Sequence, residues 1–464
     1  MGRVVQAAQG WSGMSSEGQS RLPLSIRLGW GLGAVGSTIF LFSKSLVLRF
    51  MTDYLEVAAV AAGFIFAISK FYDAATDPLM GLISDRTKSR WGRRRPYLVV
   101  GAVLCAVTFV LLFTVPEIQS DQLMLFYMGM LLILFATAYT LFNVAHVAMP
   151  VEMTADFQER SELFSYRAGA IGLGSILGGF LGPLLIAEFG GGRTGHEVMS
   201  WVLGAMIFIA MTGCFWMTRN APFRANQTAI RYSFTEQLAS AATNKPYAVL
   251  MVVKLFLRVT SMMNSGTAAY FTSRVLQLSD RWLGIYFLCY GAALLLSQPL
   301  WLSVIRRYGK KRTYIVTAFM YAAVALSWTL ADAQDHWAFF VLRSLGIGWM
   351  TGAVLLATQS MLPDTIEYDY RRTGLTREGL FTGLYTTVEK LGAAFGIAIT
   401  GTVLGGMGYI ASSGGTDVVQ PPSAIIGIYL CFGVIPAVLI VISSAFMTLY
   451  DLDQEKLEKT ERIG

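Results

Sequence analysis

Twelve apolar stretches, each long enough to cross a bilayer, follow one another along the chain. They lie at roughly 26–52, 58–84, 97–115, 122–149, 163–189, 198–218, 247–273, 281–305, 314–331, 337–362, 379–408 and 423–450. A helical span needs about 20 apolar residues. In lipid, only a helix or a closed barrel satisfies its own backbone polar groups. The pattern therefore predicts an all-α polytopic membrane protein. Composition agrees: the 464 residues are 54% hydrophobic and 14% charged, whereas a soluble domain carries ~25% charged residues.

The formal net charge of +7 raises nucleic acid as a partner. The basic residues, however, sit mainly in short loops between apolar runs, as membrane topology requires. The expected partner is the lipid bilayer, and nucleic acid is excluded. Arg86, Lys88, Arg90, Arg93, Arg94 and Arg95 follow the second span. Arg306, Arg307, Lys310, Lys311 and Arg312 follow the eighth. Placing these loops in the cytoplasm also places both termini there, because the number of spans is even. A bacterial inner membrane is the expected location. On the opposite side the main positive charges are Arg193 and Arg274.

The longest connection, 219–246, separates six spans from six. The expected organisation is a disordered cytoplasmic tail at 1–23, a six-helix bundle at 24–218 and a cytoplasmic loop at 219–246. A second six-helix bundle at 247–450 and a tail at 451–464 complete it. The first 20 residues lack the apolar core of a signal peptide. The four cysteines lie in separate apolar runs and read as buried helix residues, not as a disulfide or metal set. A monomer is expected.

The two halves resemble each other. WGRRRPY at 91–97 returns as YGKKRTY at 308–314, and PVEMTADFQER from Pro150 has an echo in LPDTIEYDYRR around Pro363. Each pair occupies the same place in its half. Two similar six-helix halves in parallel orientation predict the major facilitator fold, which binds solute between the halves near mid-membrane.

Ionisable residues inside a membrane are costly and are functional candidates. Lys70, Asp73 and Asp77 recur at i, i+3 and i+7 in the second span, which puts them on one helix face. Two carboxylates one turn apart repel unless a cation or proton lies between them, so a sodium ion or a proton is the expected coupling ion. Thr76 is a candidate oxygen ligand, and Pro78 interrupts the helix ladder just beyond. Lys390 lies in the eleventh span with Gly383, Gly392 and Gly396 around it, which favours close helix packing. Glu389 is expected to point away from it. Thr140, Asn143 and His146 recur every three residues in the fourth span, are expected on one face, and are candidates for a polar cavity wall. Lys44, Arg49, Arg167, Lys254, Arg258 and Arg343 lie in or near spans. Arg49 is expected to snorkel to an interface. The excess of cations over acids points to a solute with an anionic group. Trp30, Phe40, Phe42 and Phe71 are candidate aromatic walls for a sugar or an acyl chain. Asp85, Arg86, Arg93 and Arg94 read as a gate and topology element. No H-E-x-x-H, G-x-S-x-G or nucleotide-binding loop is present, so neither an enzyme nor an ATP-driven pump is expected, and no cofactor.

YDAATDPLMGLISDRTKSRWGRRRPY (72–97), ERSELFSYR (159–167) and DTIEYDYRRTGLTREGLFTGLYTTVEK (364–390) resemble the glycoside–pentoside–hexuronide:cation symporters. This branch of the major facilitator superfamily includes melibiose carriers. The resemblance runs from about residue 24 to 450. It implies that Asp73 and Asp77 are cation-site carboxylates, with Thr140 a hydroxyl near them. Lys390 would link cation to solute. Lys70 and Arg167 would lie beside the substrate cavity. Melibiose-type members hold sugar hydroxyls with two further carboxylates, and here those positions read Thr38 and Asn143. A galactoside is therefore disfavoured against a hexuronide or sulfonated sugar. The related sodium-coupled lysolipid carriers share the aspartate pair and lysine, which keeps an amphiphile as an alternative. A receptor or scaffold that no longer transports is the alternative of another class.

Overall fold

The computed structural model describes residues 21–42, 44–154, 157–222, 243–373, 378–412 and 418–452. Among them the chain is helical and contains no strand. Eleven helices are long and apolar enough to cross a membrane, and one bent pair makes a twelfth. The first half contributes spans 1 (Leu24–Tyr54), 2 (Ala59–Arg86), 3 (Arg95–Phe113), 4 (Asp121–Met153), 5 (Phe157–Ile176, continuing to Glu188) and 6 (Gly192–Thr218). The second contributes spans 7 (Lys245–Val275), 8 (Asp280–Leu296 with Gln298–Tyr308), 9 (Lys310–Leu330), 10 (Trp337–Thr373), 11 (Glu378–Gly406) and 12 (Pro422–Thr448). Spans 1 to 6 pack chiefly among themselves, as do 7 to 12. The halves meet mainly where span 2 lies along span 11, with further seams between spans 5 and 8 and spans 1 and 7.

Span 8 departs from a straight helix. It bends by 45° between Leu296 and Gln298. Pro299 lacks an N–H, so the ladder is broken there. Beside it, the Ser297 hydroxyl and the Gln298 side-chain amide donate to the Leu294 carbonyl, at 2.9 and 2.8 Å. Span 10, at 37 residues, is about 55 Å long against a hydrocarbon layer of ~30 Å. Its last turns therefore extend beyond the membrane.

The internal repeat is structural. Gly92 and Gly309 occupy matching turns and both have positive φ, 95° and 84°, a conformation that favours glycine. After each turn, basic residues reach the end of the fourth span of their own half. Arg94 pairs with Glu152 at 3.0 Å, and Arg93 also pairs with it. In the second half Lys310 pairs with Asp364. In this conformation Arg93 and Arg94 thus brace one half internally. Arg86 ends span 2 exposed, and the Asp85 side chain lies outside the described residues.

Candidate functional site

The face predicted on span 2 forms. Lys70 Nζ donates to Asp73 Oδ2 at 2.9 Å. From span 4, the Thr140 hydroxyl lies 3.0 Å from Asp73 Oδ1 and 2.9 Å from Asp77 Oδ1. One hydroxyl has one proton, so it is shared between two acceptors. From the other half, Lys390 Nζ pairs with Asp77 Oδ2, donates to the Asp73 carbonyl at 3.2 Å and lies 3.9 Å from Asp73 Oδ1. Two carboxylates and two ammonium groups thus form an electroneutral cluster. Asp73 is sealed, with 3% of its side chain exposed, whereas Asp77 keeps 28%. Asp77 is therefore the more accessible of the two carboxylates.

Glycines set the height of span 11. A Cβ on Gly392 would lie 2.8 Å from Arg258 Cβ, and one on Gly396 2.8 Å from Met262 Cβ, so this face lies directly on span 7. Farther along, a Cβ on Gly401 would lie 2.5 Å from the Ala59 carbonyl on span 2. Gly383 has open space and is not part of this packing. Held between spans 7 and 2, span 11 presents Glu389 to one and Lys390 to the other. Glu389 does point away from the aspartates. It lies 3.6 Å from Lys254 Nζ and 3.8 Å from Arg258 Nε.

Several expected site residues lie elsewhere. Thr76 donates its hydroxyl to the carbonyls of Tyr72 and Asp73, at 2.9 and 3.3 Å, and turns it away from the carboxylates. Trp30 is completely buried. Its Nε1 donates to the His146 carbonyl at 2.9 Å, and His146 Nε2 donates to the Trp30 carbonyl at 2.8 Å. This reciprocal clasp joins spans 1 and 4, so both residues are packing elements and not cavity walls. A three-residue step turns a helix about 60° short of a full circle. Thr140 and His146 therefore face different neighbours, with half-buried Asn143 between them. Thr38 is buried and bonds to the Ala34 carbonyl of its own helix at 2.7 Å. Phe40 stacks on Phe135 in the core, Phe42 meets Phe287, and Phe71 meets Phe395. The Lys44 side chain lies outside the described residues. Arg167 is half-buried, and its Nε is buried without a hydrogen-bond partner among the described residues.

A second charged cluster, which the sequence reading did not assemble, joins the halves at the end away from the basic loops. Asp53 is fully buried. Arg274 Nη2 donates to it at 2.8 Å, and Tyr409 donates its hydroxyl at 2.6 Å. Arg49 lies 3.6 Å from it and pairs with Asp280 as well. Arg49 is only 3% exposed, so it does not snorkel; two carboxylates hold it inside. Burial and the Asp53 charge push the Tyr409 hydroxyl pKa up, which keeps it a donor at neutral pH. Around this hub Thr52 and Tyr270 share a 2.8 Å hydrogen bond, and the Ser412 amide donates to the Thr52 carbonyl at 2.8 Å. Arg274 was the available signal: a positive charge on the unexpected side of the membrane, tolerated because it is buried against an acid.

These pairs reduce the apparent excess of cations. Lys70 and Lys390 are balanced by the aspartate pair, Arg49 and Arg274 by Asp280 and Asp53, and Arg343 by Asp335. Among the described side chains of that set, what remains is one unit at Lys254, Arg258 and Glu389, together with Arg167.

The family model for MFS/sugar transport proteins matches residues 25–454. A putative glycoside/cation symporter of Escherichia coli, YagG, is 28% identical, covering 96% of this chain and 95% of its own. A putative sulfoquinovose importer of the same organism is 26% identical over 96% of this chain and 94% of its own. The isoprimeverose transporter of Lactiplantibacillus pentosus is 25% identical over 94% and 90%. Among solved structures, a bacterial homologue of the lysosomal transporter Spinster shares the fold with a TM-score of 0.68. It is 13% identical and covers 92% of this chain and 95% of its own.

Proposed function

The chain belongs to the MFS/sugar transport family, and from that premise we propose a secondary active symporter that couples a monovalent cation to import of a sugar-like, acidic solute. Relatives that bear the names of glycoside/cation symporter, sulfoquinovose importer and isoprimeverose transporter support the sugar-like solute. The observation that carries the coupling is the electroneutral Asp73–Asp77–Lys70–Lys390 cluster, with Thr140 shared between both carboxylates. Asp73, Asp77 and Thr140 offer hard oxygen ligands of the kind that suits sodium, and the same carboxylates accept a proton. An added cation makes the cluster positive unless a lysine withdraws. Lys390 is the one that can, because it belongs to the other half. Cation binding thereby loosens the seam between spans 2 and 11, and by linkage any solute that favours the loosened state binds more tightly with the cation present.

In this conformation the Asp53 hub latches the halves at the end away from the basic loops. Solute would then enter or leave on the basic-loop side, and the latch must part for the other side to open. Arg167, Asn143, Lys254 and Arg258 are the side chains we assign to the solute cavity.

Thermal unfolding of purified protein tests the reading. Uronides, sulfonated sugars, neutral glycosides and lysolipids are compared with sodium, with choline and at acid pH. Stabilisation by a uronide or sulfonated sugar that grows with one cation is expected. Stabilisation by lysolipid alone, or by solute with no dependence on any cation, contradicts the reading.

A further inference from the structure

Lys254 and Arg258 sit one helical turn apart on span 7, and a single carboxylate, Glu389, serves both. The contacts are loose. At 3.6 and 3.8 Å they exceed the ~2.7–3.2 Å of a formed N–H to O hydrogen bond. Arg258 Nε is buried with no hydrogen-bond partner among the described residues. The Lys254 side chain is 3% exposed and its ammonium lies 4.5 Å from the Tyr385 ring centroid, a cation–π contact. Glu389, by contrast, is 35% exposed. Two cations, of which Arg258 keeps an unused donor, opposite one accessible and weakly held acid, are an anion site with a provisional occupant.

We propose that Glu389 is an internal stand-in for the acidic group of the solute, and that its displacement transmits solute binding to the cation cluster through neighbouring Lys390. This deepens the symporter reading and rests on it. A solute carboxylate or sulfonate docks on the Arg258 guanidinium, whose planar fork takes such groups in bidentate fashion, and on the Lys254 ammonium. Glu389 is released without any bond being made or broken. Its charge is then free beside Lys390 on the same helix, where it competes with Asp77 for the ammonium. Gly392 and Gly396 fix the register of span 11 on span 7, so the change is carried by the side chains and not by slippage of the helix. A neutral glycoside lacks the group that displaces Glu389, so it binds without engaging the cluster.

The test measures binding of methyl glucuronide and methyl glucoside to the full-length purified protein and its variants, with sodium, with choline and at acid pH. In the wild type, glucuronide affinity should rise about tenfold with the coupling cation, within the ~5–150-fold range of such couplings, and glucoside affinity should hardly change. In Glu389→Gln, glucuronide affinity without cation should rise and the enhancement by cation should fall below about twofold. Glu389→Asp should retain the enhancement. Lys254→Gln should lose the preference for glucuronide over glucoside. Wild-type enhancement in Glu389→Gln overturns the proposal, as does weakened glucuronide binding there, since a purely structural ion pair would behave so. Failure of the symporter reading is seen in the wild type instead: no cation dependence with either sugar, which removes this proposal with it.

Discussion

Two charge clusters join the halves of this protein, and they are built from different cations. At the sealed end, Asp53 is held by Arg274 and flanked by Arg49, with Tyr409 and Thr52 as further donors. Arginine stays charged at any relevant pH, and its fork fixes geometry as well as charge. At mid-membrane, Asp73 and Asp77 are held by Lys70 and Lys390. An ammonium is a compact point charge on a flexible stem, with no fixed fork to hold its partner. Burial follows the same division. Asp53 has no exposed side-chain area, whereas Asp77 keeps 28%. The first cluster is the more rigid and enclosed of the two, the second the more adaptable and accessible.

The largest effect expected on this contrast comes from Arg274→Ala. It leaves Asp53 without its closest cation, and uncompensated buried charges of this kind cost about 3–5 kcal/mol. Hydrogen exchange at the Ser412 amide, which donates to Thr52 across the halves, should quicken by two orders of magnitude or more, with Arg274→Lys between. Exchange at the wild-type rate would show that Arg274 does not latch the halves. Lys390→Ala should leave the latch intact and act on coupling alone: cation still binds, but its enhancement of solute affinity should drop from about tenfold to below about twofold. Binding isotherms with and without cation read this directly. Thr140→Val removes the shared hydroxyl. A hydrogen bond to a charged group is worth about 1.5–3 kcal/mol, so half-saturation by cation should rise on the order of tenfold or more. Thr76→Ala should change cation half-saturation by less than about twofold, as substitutions away from a site usually stay within ±0.5 kcal/mol. A large Thr76 effect would show that its hydroxyl leaves the Tyr72 carbonyl to bind the ion.

The division between what the sequence discloses and what it hides follows from geometry. Lys70, Asp73 and Asp77 are legible because i, i+3 and i+7 share a helix face, and Lys390 because a charge in an apolar run needs a partner. The twelve spans and the repeat are legible because hydropathy and the glycine–basic turns are local. Tertiary partners are not. Trp30 looks like a sugar platform until span 4 is placed against it, and His146 looks like a cavity residue until its ring N–H is seen to donate to the Trp30 carbonyl. Asp53 and Arg274 stand 221 residues apart, so no spacing relates them. The bend in span 8 is marked by Pro299, but a proline alone does not fix its 45° angle. The cation excess is the clearest lesson: a count of charges overstates it, and only pairing shows how little remains.

We propose above all that Asp77 carries the coupling cation. The most direct test places wild type and Asp77→Asn in membrane vesicles, with the solute found by the stability screen. Two quantities are measured in each: accumulation driven by an imposed cation gradient, and exchange of labelled for unlabelled solute with no gradient. Asp77→Asn should lose accumulation and keep exchange. Accumulation at the wild-type level in Asp77→Asn would contradict the proposal.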